Sequence, residues 1–377
     1  MTGACGGTGR GPASHTGLQQ RADRPPWRLA PGPVAPRSVW GRGCSLSPRP
    51  PPGRNTRPAG LPRSSLTLFS LTFPHSSPMD VGLIGLGAMG APMAWNLHDA
   101  GLLASVYNRT SAKAKPFADR GVPVAASPAD LAEQVEVIVV MVTADEALHA
   151  VLEGPQGVLG GLPPDAIVVN TSTVSVEATE QAATAVEAAA GRFVDAPVSG
   201  TVGPAEEGTL TVLAGAAPPL LDEVQPVLEV VGTPVVHCGE VGTGTKTKLF
   251  TNLLLGNLMQ AYAEALVFGQ QHGLSLDHMQ DVIDASPVGA PLFGYKGPVV
   301  EERDFEKQFP VDLLLKDLDL IAQAAERRGV YLPQTAATRE AVNGAKALGH
   351  GDEDMAAVLK LLEAVSGTTV GGDGDEA

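Results

Sequence analysis

Val81-Gly82-Leu83-Ile84-Gly85-Leu86-Gly87-Ala88-Met89-Gly90-Ala91-Pro92-Met93-Ala94-Trp95-Asn96-Leu97 is the stretch around which the rest of the chain is organised. Its first four residues form a short apolar run, as in strands buried on both faces of a parallel sheet. The run breaks at Gly85, where Gly85, Gly87 and Gly90 make a Gly-x-Gly-x-x-Gly turn into a segment of helical periodicity. In a dinucleotide-binding unit the first such glycine permits the tight turn and the second lets a pyrophosphate approach the backbone. The third lets the helix pack on its strand. The helix N-terminus adds unpaired amides and a partial positive charge. With 44 glycines in 377 residues a lone match means little. Here a strand precedes it and a helix follows, so Gly85, Leu86, Gly87, Ala88, Met89 and Gly90 are the expected cofactor cradle.

A second strand is expected at 104–107, followed by Asn108-Arg109-Thr110. About 20 residues past the glycine turn, NAD-selective folds place an acid on the ribose hydroxyl. No acid stands here. Arg109 can instead make charge-assisted contacts with a ribose 2′-phosphate, with Asn108 and Thr110 adding neutral hydrogen bonds. A solvated loop arginine is the alternative. NADP is therefore expected ahead of NAD.

Strand-like runs recur at 135–142 and 166–169 with a helical stretch at 145–152 between them, the alternation of a doubly wound sheet. Ligands of such sheets lie at the carboxyl ends of strands. Val142-Thr143 and Ser172-Thr173 are thus candidates for the nicotinamide end, although Ser and Thr are also ordinary turn residues. Then comes Phe193-Val194-Asp195-Ala196-Pro197-Val198-Ser199-Gly200. Its Pro-Val-Ser-Gly turn offers a hydroxyl and bare amides suited to a carboxylate, and by residue type alone it is equally well a plain loop. A strand at 209–213, a helix at 219–230 and a strand at 234–237 follow.

From Gly244 to about Gln271 there is no proline, and Leu249, Phe250, Leu253, Leu254, Leu258, Ala261, Ala265 and Leu266 recur at helical spacing. At ~1.5 Å per residue this helix is roughly 40 Å long, enough to join two domains. Lys248 and Asn252 share one face. By periodicity alone a lysine among leucines reads as snorkelling to solvent. The remainder is helical in pattern, near 276–286, 311–328, 335–348 and 354–363. Lys316-Asp317 in isolation reads as a surface pair.

Composition narrows the function. The chain carries a net charge of −15, but the first 78 residues hold ten arginines, no lysine and one acid. The rest has 16 bases against 40 acids, which argues against nucleic acid as a partner. No apolar run reaches the roughly 18 residues of a membrane helix. Three cysteines and eight scattered histidines provide neither a disulfide framework nor metal-ligand spacing, consistent with a reducing cytoplasm and no metal. Residues 1–78, with 14 prolines, are expected to be disordered. An Arg-rich transit peptide is one reading; the prolines favour the other, translated upstream sequence with Met79 as the start.

Four blocks in order resemble the β-hydroxyacid dehydrogenase family: Gly85-Leu86-Gly87-Ala88-Met89-Gly90, Asp195-Ala196-Pro197-Val198-Ser199-Gly200, Gly242-x-Gly244-x-x-x-Lys248-x-x-x-Asn252, and Lys316-Asp317-Leu318. The likeness runs from about Met79 to Glu363. It implies an α/β fold: a Rossmann-type doubly wound sheet over residues 79–241, then an all-α C-terminal domain over 242–369, joined by the long helix. It also implies NAD(P)-dependent interconversion of a short hydroxyacid and its semialdehyde, in a homodimer or homotetramer. On this resemblance Lys248 is the catalytic lysine, which displaces the snorkelling reading, and Asn252 helps place the substrate. Ser199 and Gly200 bind its carboxylate, Thr173 is a nicotinamide-side contact, and Lys316 closes over cofactor and substrate. Thr201 and Thr251 depart from the residues common in the family and bear on substrate identity. Two rivals are an imine reductase, which usually lacks this lysine, and a non-catalytic NADP-binding protein, which has no need of the Ser199/Lys248/Asn252 set.

Overall fold

The structure, a computed structural model, describes residues 79–371; the expectations placed on the first 78 residues lie outside them. The described residues fall within one compact unit. Its sheet is built from Val81–Ile84 (β1), Leu103–Tyr107 (β2), Val137–Val140 (β3), Ile167–Asn170 (β4), Arg192–Asp195 (β5), Val198–Ser199 (β6), Thr211–Gly215 (β7) and Val235–Gly239 (β8). The order is β2-β1-β3-β4-β5-β7-β6, with β8 also on β7. The first five strands are parallel, with Ile84 opposite Tyr107 on one side and Val140 on the other. Strand order reverses direction between β2 and β3, so the turn after β1 lies at the switch point where such sheets open a ligand crevice. The doubly wound expectation holds for these five. Strand β7 runs antiparallel to β5 and β6 and parallel to β8.

Because alternate strand residues face opposite ways, β3 sends Val137 and Val139 into one core and Ile138 and Val140 into another. The first core is closed by Gly90–Asp99 (α1), with the short Lys115–Ala118 (α2), and by Pro218–Val231 (α7). The second is closed by Pro128–Ala132 (α3), Asp145–Glu153 (α4) and Val176–Ala188 (α5). Both faces of the strands are thus apolar, which is why they read as unbroken hydrophobic runs.

A short helix at Val202–Glu206 (α6) precedes β7, and after β8 the chain enters Thr243–Gln271 (α8), 29 residues long. It packs on β7 and β8 at its start and carries the helical part beyond. That part comprises Leu276–Ala285 (α9), Pro291–Glu301 (α10), Val311–Arg328 (α11), Pro333–Ala345 (α12) and Val358–Ser366 (α13), around a third core that includes Leu266, Leu314, Leu318 and Leu359. Helix α10 is absent from the periodicity reading, since Pro291, Gly294, Gly297 and Pro298 all look like breakers. Among the described residues no helix is long and apolar enough to cross a membrane.

Candidate active site

The glycine turn needs each of its glycines for a different reason. Gly85 has φ +104, and a Cβ there would stand 2.0 Å from the Met141 carbonyl oxygen. A Cβ on Gly90 would stand 1.9 Å from the Gly85 oxygen, so any side chain would push α1 off the turn. A Cβ on Gly87 would meet nothing within 4 Å. Packing therefore demands Gly85 and Gly90, whereas Gly87 borders open space. The first turn of α1 has no side-chain cap, leaving amides available to an anion. This arrangement fits the pyrophosphate of a dinucleotide.

Asn108 takes a place not expected for it. Its Oδ1 accepts from the Leu86 amide at 2.9 Å and its Nδ2 donates to the Thr110 carbonyl, bracing the glycine turn from the end of β2. Leu86 is buried in the first core, and its amide is taken up by Asn108. Ala88, Arg109 and Thr110 are exposed. At the ends of β3 and β4, the Val142 amide donates to Ser172 Oγ at 2.9 Å, while Thr143 lies exposed beyond it. The Thr173 carbonyl accepts from Lys316 Nζ at 2.6 Å. Helix α11 thereby reaches the carboxyl edge of the sheet, where crevice ligands bind.

The start of α8 is held by a carboxylate from the sheet. Asp195, fully buried at the end of β5, accepts from the Thr245 amide on Oδ2 at 2.8 Å and from Thr245 Oγ1 on Oδ1 at 2.7 Å. Thr245 Oγ1 also lies 3.0 Å from Thr179 Oγ1 on α5. An anion at the N-terminus of a long helix is stabilised by unpaired amides and the dipole. Burial nevertheless raises the Asp195 pKa, with the hydrogen bonds from Thr245 acting the other way.

Lys248 follows within the next turn of α8 and is only 7% exposed. Burial brings its ammonium down to about 8; Asp317 opposes that shift and Lys316 reinforces it. Asn252, one turn further, donates from Nδ2 to Asp317 Oδ2 at 2.5 Å. Asp317 is 2% exposed, and its other oxygen lies 2.9 Å from Lys316 Nζ at an angle that makes no hydrogen bond. One turn beyond Asn252 comes Gly256, where a Cβ would press to 3.1 Å from Leu318 and 3.4 Å from Leu314. That glycine lets α11 approach α8 closely enough for the Asn252–Asp317 bond. Asn252 and Lys316 thus meet at Asp317, whose charge also acts on Lys248, and Lys316 ties Thr173 to the group.

Ser199 ends the two-residue β6, opposite Thr211 on β7. Gly200 has φ +144, and a Cβ there would stand 2.7 Å from Leu210. Only glycine suits that turn. Both residues lie on the antiparallel edge of the sheet, beside the strand on which α8 packs.

Residues 80–239 match the NAD binding domain of 6-phosphogluconate dehydrogenase, and residues 242–362 match the NAD-binding domain of NADP-dependent 3-hydroxyisobutyrate dehydrogenase. Glyoxylate/succinic semialdehyde reductase 1 of Arabidopsis thaliana is 34% identical over 285 residues, covering 76% of this chain and 99% of the relative. The chain belongs to the β-hydroxyacid dehydrogenase family. Another relative, 2-(hydroxymethyl)glutarate dehydrogenase of Eubacterium barkeri, is 36% identical over 78% of this dehydrogenase and 97% of its own length. A solved 3-hydroxyisobutyrate dehydrogenase of Mycobacterium tuberculosis, with L-serine, superposes with a TM-score of 0.70 at 29% identity, covering 76% of this chain and 99% of that one. The dehydrogenase uses NAD(P), and its glycine cradle fits that cofactor.

Two residues of this β-hydroxyacid dehydrogenase were not singled out for roles by sequence reasoning. Asp317 reads as half of a surface pair, yet it falls on the same stripe as Leu314, Leu318 and Ile321, the buried face of α11. An acid on an apolar stripe is the signal that marks it. Asp195 similarly continues the apolar run of β5, but its partner Thr245 is 50 residues away and invisible to any local pattern.

Proposed function

We propose that this dehydrogenase interconverts a short β-hydroxyacid and its semialdehyde, with Lys248 as the proton-transferring group. The observation that carries the proposal is a buried lysine near pKa 8, held among Asp317, Asn252 and Lys316 at the edge of a dinucleotide-binding sheet. An unperturbed lysine near ~10.4 is a poor base at neutral pH, whereas one near 8 is available in both protonation states. The bound nicotinamide cofactor supplies or accepts the hydride at the substrate carbon. In reduction Lys248 Nζ gives its proton to the carbonyl oxygen as that oxygen becomes a hydroxyl. In oxidation the neutral amine takes the hydroxyl proton. Asn252, its amide tied to Asp317, presents Oδ1 to the substrate hydroxyl.

The Ser199 hydroxyl and the Gly200 amide form the proposed seat of the substrate carboxylate. Lys316, anchored on the Thr173 carbonyl, adds positive charge near the site and helps keep Lys248 low. Arg109, exposed beside the glycine turn, is the proposed partner of a 2′-phosphate, giving preference for NADP; Thr110 and Val142-Thr143 line the cofactor groove. The buried lysine weighs against imine reduction, and its network with Asn252 weighs against a purely cofactor-binding role.

The test is steady-state reduction of glyoxylate, succinic semialdehyde, tartronate semialdehyde and methylmalonate semialdehyde with NADPH and NADH, and oxidation of 3-hydroxyisobutyrate. Turnover of at least one with NADPH, abolished by Lys248→Ala while cofactor binding persists, is the expected result. NADH preference would remove the Arg109 assignment alone. Silence across the panel with cofactor still bound would overturn the substrate class.

A further inference from the structure

Away from Lys248, the helical part holds a cavity of about 210 Å³ lined by α8, α9 and α10. Its space comes from the sequence of α10, where Gly294 and Gly297, three residues apart, share a face. A Cβ on Gly294 would meet nothing within 4 Å; one on Gly297 would lie 3.1 Å from Gln280 Nε2 and 3.6 Å from the Tyr262 hydroxyl. Tyr262, on α8, is 2% exposed and its ring stacks on Phe293 at 4.7 Å. Neither the Tyr262 hydroxyl nor Gln280 Nε2 has a hydrogen-bond partner among the described residues, and both atoms are buried. Native interiors seldom leave such groups unpaired, because desolvation without a partner is costly. At the rim stand two exposed carboxylates, Asp284 on α9 and Glu301 on α10. Burial raises the Tyr262 pKa, the adjacent Gln280 side chain acts the other way and the Asp284 charge raises it further, so the phenol remains a donor.

We propose that this cavity binds a small organic cation, an amine that also carries a carbonyl or hydroxyl oxygen. The oxygen accepts from Gln280 Nε2 and the Tyr262 hydroxyl at the inner end. The ammonium lies between Asp284 and Glu301, and the intervening carbons contact Ile283 and Phe293. An anion is disfavoured by those carboxylates and by the acidic body of the chain. The site is separate from the redox centre: Tyr262 is ten residues beyond Asn252 on α8, roughly 15 Å along its axis.

The test uses the full chain saturated with NADP+, titrated with β-alaninamide and 4-amino-1-butanol by calorimetry and saturation-transfer NMR. Propionamide and succinamate serve as the uncharged and anionic controls. Saturable binding of the amines at one site is expected, about tenfold or more tighter than either control. Tyr262→Phe, and separately Asp284→Asn with Glu301→Gln, should each weaken it about tenfold while leaving turnover unchanged. Gly294→Leu should fill the space and abolish it. No saturable binding would leave the cavity to water, and propionamide binding as well as β-alaninamide would remove the cation; either overturns the proposal. So would binding that is indifferent to all three variants. If Gly294→Leu instead dissociates an oligomer in sedimentation velocity, the cavity belongs to a second copy of the chain, which also overturns it.

Discussion

Replacing Lys248 by methionine should abolish turnover and, at neutral pH, stabilise the fold. Burial moves Lys248 from 10.5 to about 8. At about 1.4 kcal/mol per pKa unit, the folded state bears roughly 3 kcal/mol against the charged amine that the unfolded chain does not bear. Methionine keeps a flexible chain of similar length without charge or polar hydrogen. Part of the gain is offset because Asp317 loses a nearby cation, though it keeps Asn252 and Lys316. A net gain of about 1–3 kcal/mol is expected at pH 7. The pH dependence distinguishes this effect from ordinary repacking. With the folded value below the unfolded one, the unfolded chain holds more protons between about 8 and 10.5, so Lys248 costs less stability as pH rises through that window. The variant's advantage should shrink there by most of its value. Urea unfolding of both proteins without cofactor, at pH 7 and pH 10.5, reads the difference while the other lysines cancel. A variant less stable at pH 7, or a difference that does not move with pH, would refute the desolvated-charge reasoning. Retained turnover would refute the catalytic assignment.

Three further outcomes follow from particular contacts. Asp317→Asn removes the charge that raises Lys248, so the pH at which oxidation turns on should fall below 8 in rate profiles from pH 6 to 10. The same change should cost about 10–100-fold in kcat, the range for a lost hydrogen bond to a charged group. Gly87→Ala should leave the unfolding midpoint without cofactor unchanged but weaken NADPH about tenfold or more in fluorescence titration, whereas Gly90→Ala, pressed against the Gly85 oxygen, should lower the midpoint itself. Thr245→Val should cost about 1–3 kcal/mol by removing the side-chain hydrogen bond to Oδ1 of the buried Asp195 carboxylate, with faster hydrogen exchange across the first turns of α8; exchange unchanged there would show that this bond does not hold the helix.

Much of the sheet is legible because both faces of β1, β3 and β4 are buried, which writes each strand as an apolar run ending at a polar turn. Helix α8 is legible because it lacks proline over its whole length. What escapes notice depends on partners far apart in sequence. The antiparallel course of β7 is set by pairing with β5 and β6, and nothing in residues 209–213 encodes strand direction. Helix α10 hides behind two prolines and two glycines, tolerated because Pro291 occupies its first turn and the glycines face a cavity. Lys248 and Asn252 can be seen to share a face, but that Asp317 is the acid facing them follows only from the packing of α11 on α8. The reach of Asn108 back to Leu86 likewise spans 22 residues.

Asp195 and Ser199 stand at either end of a five-residue segment, one gripping the start of the lysine-bearing helix, the other offering the proposed seat for the substrate carboxylate. The three residues between them therefore act as a gauge. An insertion of one residue within 196–198 would shift Ser199 by about 3.3 Å against Thr211 and turn its hydroxyl to the opposite face of the sheet, while leaving every functional group chemically intact. Such a protein should still fold and still hold its cofactor, yet lose the proposed seat for the substrate carboxylate. On the proposed seating, the fit of the substrate thus depends on backbone count at one short bend, and it can be altered without changing any side chain proposed to perform chemistry.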